Sequence, residues 1–486
     1  MIQSRWAQIK LSLSFPQLGV KQGNRKPNPP YGGGLLKTLS VLGAKVSILP
    51  FLRLPWGGKG LRPSRFCLLG IFFLVVSSFV FAQPGLAKGG PAATSPGKES
   101  PRFFGAKRGA LPIVKRSISE GETSLMPAYK ALLRAAEEAL ATTPPTVTDK
   151  KQHPVTGKLN DYYTQAPYLW PDPSKSDGLP YLPKDGMINP ESRNPDFVDY
   201  SRGQEIGHLV ETLSLAYYLT DEERYAAHAA RCLRVWFIDP ATRMNPHLQY
   251  AQAVPGRNEG RYIGMIEAGG VVQAVDAAGL LAGSTHWSEE DRAALEIWIA
   301  DFLDWFMNSE YGRQENQMRQ NHGTMFDVRV VRMALALGKR DLAREKLESV
   351  KENRIARQIE PDGAQTMELR RTKSFNYSEM NLTGLAELAT LGEWVGVDLW
   401  TYETADGRSI RRALEFLRPY VEKVPEGWPP PFWQYQQIVP FLPEILSPVL
   451  RMASVGYQHE EYEAILSQFP DFIASRFQLT HPKHSF

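Results

Sequence analysis

Apolar residues recur every three or four positions through most of the chain beyond about Ser124, a spacing typical of helices that bury one face. The first such stretch, MPAYKALLRAAEEAL at 126–140, ends before two prolines and predicts a helix. From 145 to 200 the chain is dense in Pro, Asp, Asn, Gly and aromatic residues, which predicts a long irregular segment. Amphipathic stretches then come in pairs and predict helices at 202–219 with 222–237, 262–282 with 288–308, 322–338 with 341–358, and near 378–396, 408–423, 436–455 and 459–469.

This succession of helix pairs predicts an all-α fold, because strand patterns are scarce. Pairs of this length, joined by alternating short and long loops, are typical of an α/α toroid or of an α-solenoid. No fixed short repeat is visible, which favours an incomplete (α/α)n toroid of helical hairpins, forming a single large domain over 124–475. Its long loops would form the functional face. Asp221 and Ser288 stand where the N-caps of two of these helices belong.

The net charge of +4 conceals two very different parts of the chain. The first 98 residues hold thirteen Lys or Arg and no Asp or Glu. From Gln83 onward there are 45 basic and 52 acidic residues, which gives a net charge of −7. This acidic balance argues against nucleic acid as a partner, and an anionic ligand would need a local cluster of basic residues.

A segment near the amino terminus has the features of a secretory signal. Arg62 and Arg65 precede the apolar run CLLGIFFLVVSSFVFA at 67–82. This pattern predicts a signal peptide cleaved after Ala82, with Ala87 as a second site, and hence a periplasmic or secreted protein without a stable membrane anchor. A membrane anchor is the alternative, but a run of this length spans only about 24 Å as a helix, short of a hydrocarbon core of roughly 30 Å.

The other segments outside the predicted domain carry little pattern. Our hypothesis is that the basic, Gly- and Pro-rich residues 1–60 are a gene-model extension, while 83–123 is interpreted as a flexible tether and 476–486 as a tail. Cys67 leaves with the leader, so Cys232 remains as a single cysteine, which we expect to be a buried structural thiol. The motifs CxxC and HExxH and a Gly-rich phosphate loop are absent from the sequence. No metal or organic cofactor is expected, because the candidate chemistry described next needs neither.

The candidate chemistry centres on the tripeptide Asn-His-Gly at 321–323 and on Tyr377, 55 residues after the histidine. An amide and an imidazole can bind a carboxylate, one of the neighbours Arg370 and Arg371 can neutralise it, and a phenol can move a proton. Together these groups suit removal of the weakly acidic proton next to a carboxylate, which depends on stabilising an enolate and on a well-placed base. Taken alone, the tripeptide is more typical of a turn or helix start, and the tyrosine of a core residue.

Several segments of the chain follow the order found in a known family. They are DYYTQAPYLWPDP at 161–173, DG-MINPESR at 185–193, MNPHLQYAQAVPG at 244–256, EGRYIGMIE at 259–267, QNHG at 320–323, the PDG…E-R-R…F-Y segment at 361–377, and DGRSIRRALEFLRPY at 406–420. As an ordered set, over about 126–470, they resemble the alginate lyase domain family. The resemblance implies an α/α toroid that cleaves an anionic uronate polysaccharide by β-elimination without a cofactor, leaving a C4–C5 unsaturated end. It leaves open whether the substrate is alginate (polymannuronate) or glucuronan.

The same resemblance implies Asn321, His322, Arg371 and Tyr377 as catalytic residues, with Arg370 as the alternative to Arg371. Where the C5 hydrogen and the C4 oxygen leave from one face of the sugar, Tyr377 as a phenolate would take the proton and pass it to the leaving oxygen. Where they leave from opposite faces, His322 would be the base and Tyr377 the acid. Since the ordinary pKa of tyrosine is about 10, we expect the neighbouring arginines to favour the phenolate.

Substrate-binding residues are expected in the long loops. Aromatic residues beside prolines can stack on sugar rings or, as the alternative, pack the loop onto the toroid; they are Tyr162, Tyr163, Tyr168 and Trp170. Polar residues that can bind hydroxyls and carboxylates, or can remain solvated loop residues, are Asn245, Gln249, Gln252, Arg257 and Arg261. Arg370 and Glu368 are further candidates close to Tyr377.

Two other classes of function remain open. A glycoside hydrolase acting on unsaturated uronides needs two carboxylates that flank the bond. The carboxylates available for that role are Asp199, Glu267, Asp362, Glu368 and Glu379, and the sequence does not pair them. A non-catalytic uronan-binding protein would bind the polymer without forming a product.

Overall fold

A computed structural model of the protein describes residues 102–422 and 434–483, so the leader and signal-peptide predictions for 1–82 lie outside the described residues. Within these ranges the α-helices are α1 (Ala110–Ser119), α2 (Met126–Leu140), α3 (Tyr200–Thr220), α4 (Glu223–Leu233), α5 (Gly269–Ala277), α6 (Glu289–Asn308), α7 (Glu310–Asn316), α8 (Asn321–Ala336), α9 (Arg340–Val350), α10 (Ala356–Gln358), α11 (Thr366–Leu369), α12 (Ser374–Gly392), α13 (Ile410–Leu417), α14 (Pro419–Glu422), α15 (Ser447–Tyr457), α16 (Glu460–Leu466) and α17 (Phe477–Thr480). The strands are β1 (Tyr163–Gln165), β2 (Leu169–Trp170), β3 (Leu182–Pro183) and β4 (Tyr250–Ala253). The predicted helix at 126–140 is confirmed at both ends.

The helices form two layers. In the inner layer α3, α5, α8, α12 and α15 pack each against the next, and the outer helices α4, α9, α13 and α16 pack against the inner helix that precedes them. Every residue of α3 from 209 to 217 is buried, because an inner helix has neighbours on all sides. The outer helix α9 buries only Ala343, Leu347 and Val350, which share one face. This arrangement is the predicted all-α toroid of helical hairpins.

One helical run of the inner layer is strongly apolar. The run Tyr262–Leu281, which contains α5, is long and apolar enough to cross a membrane by length and composition alone. However, 72% of its most apolar window is buried inside the protein, as expected of a core helix. Cys232 on α4 is also fully buried, which confirms its prediction as a buried thiol.

The C-terminal segment completes the ring rather than forming a tail. The 3₁₀ helix Pro470–Ala474 and α17 pack against α2. Leu479 is fully buried and His481 almost fully buried. The interpretation of 476–486 as a tail is therefore wrong for the described residues up to 483, because they contribute buried side chains to the domain.

The segment before α2 is likewise part of the domain. Phe103 and Phe104 are buried, and α1 buries Ala110, Leu111 and Val114. The interpretation of 83–123 as a flexible tether is therefore wrong from residue 102 onward. Its Gly and Lys content resembles that of a linker, but two adjacent aromatic side chains bury enough apolar surface to hold it on the toroid.

Two helix ends differ from the predicted ones. Asp221 has a left-handed backbone (φ 59°) and ends α3, while Ser288 caps α6 as predicted and forms a capping box with Asp291. The α-helix predicted over 436–455 begins only at Ser447, after Pro440 and Pro443. Proline lacks the amide hydrogen that a helix interior needs, so the apolar pattern before it cannot continue the helix.

The long irregular segment 145–200 lies beside the loop that carries β4. Strand β1 pairs in parallel with β4, and β2 pairs with β3 as a short antiparallel hairpin. This hairpin brings the Tyr168 hydroxyl against Tyr377, in the first turn of α12. The β-paired loops and the first turns of α8 and α12 thus meet at one place, and the predicted catalytic residues lie there.

Candidate active site

The Asn-His-Gly tripeptide forms the start of α8. Asn321 and His322 are its first two residues, and the Gln320 side chain caps the helix by accepting a hydrogen bond from the His322 backbone amide at 3.0 Å. A Cβ at Gly323 would collide with the Met318 carbonyl oxygen, so only glycine fits this close approach. The tripeptide is therefore a helix start, and that start fixes the direction of two polar side chains.

His322 has a buried carboxylate partner that the sequence did not indicate. Its Nδ1 lies 2.7 Å from Oε1 of Glu315, whose side chain is 1% exposed. A carboxylate accepts hydrogen bonds, so Nδ1 carries the proton and Nε2 keeps its lone pair free to act as a base. The seven-residue spacing from Glu315 to His322 gave no signal, because the two residues lie on different helices, α7 and α8.

The structure places Arg371, and not Arg370, against the predicted catalytic tyrosine. Arg371 donates from Nη2 to the Tyr377 hydroxyl at 2.7 Å, and from Nε and Nη2 to the Asp185 carboxylate at 3.2 and 2.6 Å. Its guanidinium also lies over the Tyr377 ring, 3.8 Å from the ring centroid. Arg370 is exposed, and its described contact is with the Met367 sulfur. Asp185 was part of the matched segment at 185–193, but the sequence assigned it no role.

Tyr377 is buried, and its hydroxyl lies between two groups. It accepts from Arg371 and donates to the Tyr168 hydroxyl at 2.9 Å. Burial and the Tyr168 hydroxyl raise the pKa of Tyr377 well above its ordinary value, although Arg371 acts in the opposite direction. Arg371 therefore acts in the expected direction, but desolvation and the Tyr168 hydroxyl outweigh its charge, so the pKa of Tyr377 is raised and the phenol keeps its proton.

Glu368 lies between Asn321, to which it is hydrogen-bonded, and the charged group of Arg371. Its two oxygens accept from the Asn321 backbone amide at 2.5 Å and from Asn321 Nδ2 at 2.7 Å. Burial raises the pKa of Glu368, opposed by these hydrogen bonds and by the charges of Arg371 and His322. Predicted as substrate-binding, Glu368 instead holds Asn321 in place and leaves that amide one hydrogen for a ligand. The N-terminal ends of α8 and α12 meet here, and their dipoles favour negative charge.

The aromatic residues of the first long loop divide into two groups. Tyr162 and Tyr163 are buried and pack the loop onto the toroid, which was the alternative interpretation. Tyr168 and Trp170 are half-buried. Trp170 donates from Nε1 to the Met187 carbonyl at 2.9 Å, which fixes its ring in the β2–β3 hairpin. Only the second pair is placed to contact a ligand near Tyr377.

Gln252 and Arg261 form a polar group on the loop around β4. Gln252 has a left-handed backbone (φ 54°), a conformation that is uncommon for residues other than glycine and is often found at functional sites. Arg261 donates to Gln252 Oε1 at 2.8 Å. Beneath them, burial raises the pKa of Glu267 to about 7, opposed chiefly by hydrogen bonds from Thr164 and Gln252.

The other polar residues predicted on this loop are placed differently. Asn245 donates to the Asp161 carboxylate at 2.6 Å, so it holds the loop to a neighbouring segment. Arg257 is exposed and Gln249 half-buried. Among the described residues, none of the three contacts the side chains of the predicted catalytic group, so the structure does not bring them into it.

The carboxylates considered for a hydrolase are dispersed or already engaged. Asp199 is buried in an ion pair with Lys150 at 2.8 Å. Asp362 is exposed and accepts from the Ala364 amide. Burial raises the pKa of Glu379 to about 7, and its partner is Thr383. Within the described ranges, no group of three or more His, Cys, Asp or Glu side chains is arranged to hold a metal ion.

Two of three comparisons with known proteins found similar proteins. The sequence profile of the alginate lyase family matches residues 146–428. Among solved structures, the chain is similar to an alginate lyase from Bacteroides ovatus, with 37% identity and a TM-score of 0.73 over 78% of this chain and 98% of that one. It also matches alginate lyase A1-III from Sphingomonas species A1, with 15% identity and a TM-score of 0.49 over 75% of this chain and 92% of that one. The comparison with curated proteins found no match.

Proposed function

The chain belongs to the alginate lyase family and is a polysaccharide lyase, and from this premise we propose that it cleaves a uronic-acid polysaccharide, alginate or glucuronan, by β-elimination. The observation that carries the proposal is the contact of Arg371 with the Tyr377 hydroxyl at 2.7 Å, beside a pair of residues, Asn321 and His322, on the next inner helix. This cluster joins a cation for the substrate carboxylate to groups that can move a proton. The similar protein from Bacteroides ovatus is an alginate lyase, which supports the same substrate class.

The carboxylate of the uronate to be cleaved would bind between Arg371 and Asn321. Nε and Nη2 of Arg371 donate hydrogen bonds to Asp185 and Tyr377, whereas Nη1 makes no hydrogen bond to the described residues. A guanidinium–carboxylate hydrogen bond is charge-assisted and therefore strong. Both groups also act on the enolate that forms when the C5 proton leaves, so they lower the barrier rather than only binding the ground state.

Two routes can move the proton, and the substrate chooses between them. In guluronate the C5 hydrogen and the C4 oxygen lie on opposite faces. His322 Nε2 would take the C5 proton, the C4–C5 double bond would form as the C4–O bond breaks, and Tyr377 would protonate the leaving oxygen. In mannuronate and glucuronate the two groups lie on one face, and Tyr377 would have to lose its own proton first. The raised pKa of Tyr377 favours the first route.

The test is to incubate the purified protein with polymannuronate, polyguluronate and glucuronan, and to follow the ultraviolet absorbance of the C4–C5 unsaturated product. We expect Tyr377→Phe to lower kcat by about 10²–10⁴-fold, the usual contribution of a general acid or base. The matched control is Tyr402→Phe, which removes a hydroxyl bonded to Glu352 on the surface. Absence of product from all three polymers, or full activity of Tyr377→Phe, would contradict the proposal.

A further inference from the structure

Tyr168 and Trp170, the half-buried aromatic residues beside Tyr377, form a surface that we call the wall. Two lysines lie over their rings. The Lys373 ammonium is 5.7 Å from the centroid of the Tyr168 ring, and the Lys184 ammonium is 5.0 Å from the centroid of the Trp170 ring. Tyr168 directly precedes β2 and Trp170 ends it, so the two aromatic residues lie two positions apart in the same hairpin. The wall next to the catalytic centre therefore presents two positive charges rather than open ring faces.

Neither lysine is neutralised by a carboxylate within the part of the chain that the structure describes. Other lysines of the protein do form such pairs, for example Lys150 with Asp199 at 2.8 Å and Lys351 with Glu348 at 2.7 Å. The carboxylate nearest to this wall in sequence, Asp185, is already bound by Arg371. The charges of Lys184 and Lys373 are thus available to an anionic ligand, in a protein whose net charge beyond the leader is negative.

The wall is tied directly to the catalytic centre. The Tyr168 hydroxyl accepts a hydrogen bond from the Tyr377 hydroxyl, so Lys373 lies over a ring whose far end touches the reacting group. The Lys184 amide donates to the Tyr168 carbonyl at 2.7 Å, which holds the two strands of the hairpin together. The order outward from the catalytic centre is therefore Tyr377, then Tyr168 with Lys373, then Trp170 with Lys184.

The path of Lys373 is also fixed by its surroundings. Gly186 has a left-handed backbone (φ 75°), and a Cβ there would collide with Thr372 Oγ1 and lie 3.2 Å from Lys373 Cε. Glycine at this position lets the loop after β3 lie directly against 372–373. The stem of Lys373 runs through this contact, which limits the positions that its ammonium can reach.

We propose that Lys373 and Lys184 form a subsite that binds the carboxylates of the uronate units next to the unit being cleaved. Each unit of a uronan carries one carboxylate, and Arg371 accounts for only one of them. The subsite rests on the proposed function, because it assumes a uronan substrate. Successive carboxylates of one polysaccharide chain would bind in turn to Arg371, Lys373 and Lys184. It explains why the two aromatic faces are covered by ammonium groups, since a sugar can lie along the wall while its carboxylate pairs with the lysine.

The experiment compares Lys373→Met, Lys184→Met and the double variant of the full chain with the wild type, on mannuronate oligomers of increasing length. Methionine keeps an apolar stem over the ring and removes the charge. We expect each single variant to raise KM by about two- to five-fold, the range of partly exposed ion pairs, with kcat nearly unchanged. The effect should grow with oligomer length, and the salt dependence of KM should become shallower. Lys373→Arg and Lys184→Arg should restore most of the affinity.

The matched control is Lys175→Met, which removes an exposed lysine from the same loop. Direct binding of a mannuronate hexamer, measured by calorimetry in the Tyr377→Phe background, separates the subsite from the reaction. Weaker hexamer binding in the lysine variants supports the subsite, even if the wild type forms no product. Absence of product would overturn the proposed function alone. Wild-type affinity and wild-type salt dependence in the double variant would overturn the subsite.

Discussion

Replacing Asp185 by Asn removes the carboxylate that holds Arg371 against Tyr377. Asp185 accepts two hydrogen bonds from Arg371 and two from Thr372, at 3.2 Å from its amide and 3.0 Å from its hydroxyl. An asparagine offers one oxygen, so its NH₂ group would face a guanidinium donor. Hydrogen bonds to charged groups contribute about 1.5–3 kcal/mol, but exposed ion pairs contribute only about 0–1 kcal/mol. The two side chains are 37% and 28% exposed, so we expect a loss of about 1.5–2 kcal/mol, or roughly 10- to 30-fold in kcat/KM.

The same variant should change the pH dependence in a defined direction. The Asp185 charge is one of the groups that raise the pKa of Tyr377, and Arg371 lowers it. As long as Arg371 stays bonded to the Tyr377 hydroxyl, removing the carboxylate charge lowers the pKa of Tyr377. On polymannuronate, where Tyr377 must ionise, the rise of kcat/KM with pH should begin at lower pH. On polyguluronate, where Tyr377 must stay protonated, the fall at alkaline pH should also move to lower pH.

The assay is kcat/KM from product absorbance across the pH range, together with thermal unfolding. Asp196→Asn serves as the control, because Asp196 forms an exposed ion pair with Lys151 on the surface. The reasoning is refuted if Asp185→Asn keeps the wild-type kcat/KM and pH profile. It is also refuted if the melting temperature falls but the activity of the folded fraction does not, since Asp185 would then only stabilise the loop.

Two further predictions follow from the site. Glu315→Gln should lower kcat on polyguluronate by about ten-fold with little change in KM, because His322 loses the carboxylate that orients its ring. The control is Glu310→Gln, on the exposed face of the same helix, and equal effects of the two variants would contradict the role of Glu315. The pKa of Tyr377 is raised above its ordinary value of about 10. Wild-type activity on polymannuronate should therefore still rise with pH up to about pH 10, and activity on polyguluronate should show no loss from Tyr377 ionisation in that range. An alkaline fall of wild-type activity on polyguluronate near pH ~8 would count against Tyr377 as the acid.

The sequence predicted the elements whose signal is local. The apolar spacing located α2 at both ends, and Ser288 was identified as the N-cap of α6. Local signals failed where distant contacts decide the outcome. Phe103 and Phe104 become core residues, and His481 is buried, because the two ends of the domain pack on the ring. A segment considered in isolation as a tether or a tail shows no sign of such contacts.

The site shows the same division between local and distant information. Motif order was enough to select Asn321, His322 and Tyr377, and to limit the arginine to two neighbours. It was not enough to find the groups that set their chemistry. Asp185 and Tyr168 lie 186 and 209 residues from their partners Arg371 and Tyr377, and Glu315 reaches His322 from a separate helix.

The state of Tyr377 depends on burial, and the motif carries no information on burial. An arginine six residues before a tyrosine suggests a lowered pKa, and Arg371 does act in that direction. Desolvation and the Tyr168 hydroxyl act more strongly in the opposite one. Because Tyr168 belongs to the same wall that carries Lys373, a substrate that binds along that wall can alter the Tyr377–Tyr168 contact. The protonation state of Tyr377 therefore follows from the desolvation of its hydroxyl and from its contact with Tyr168, and the position of an arginine in the motif does not determine it.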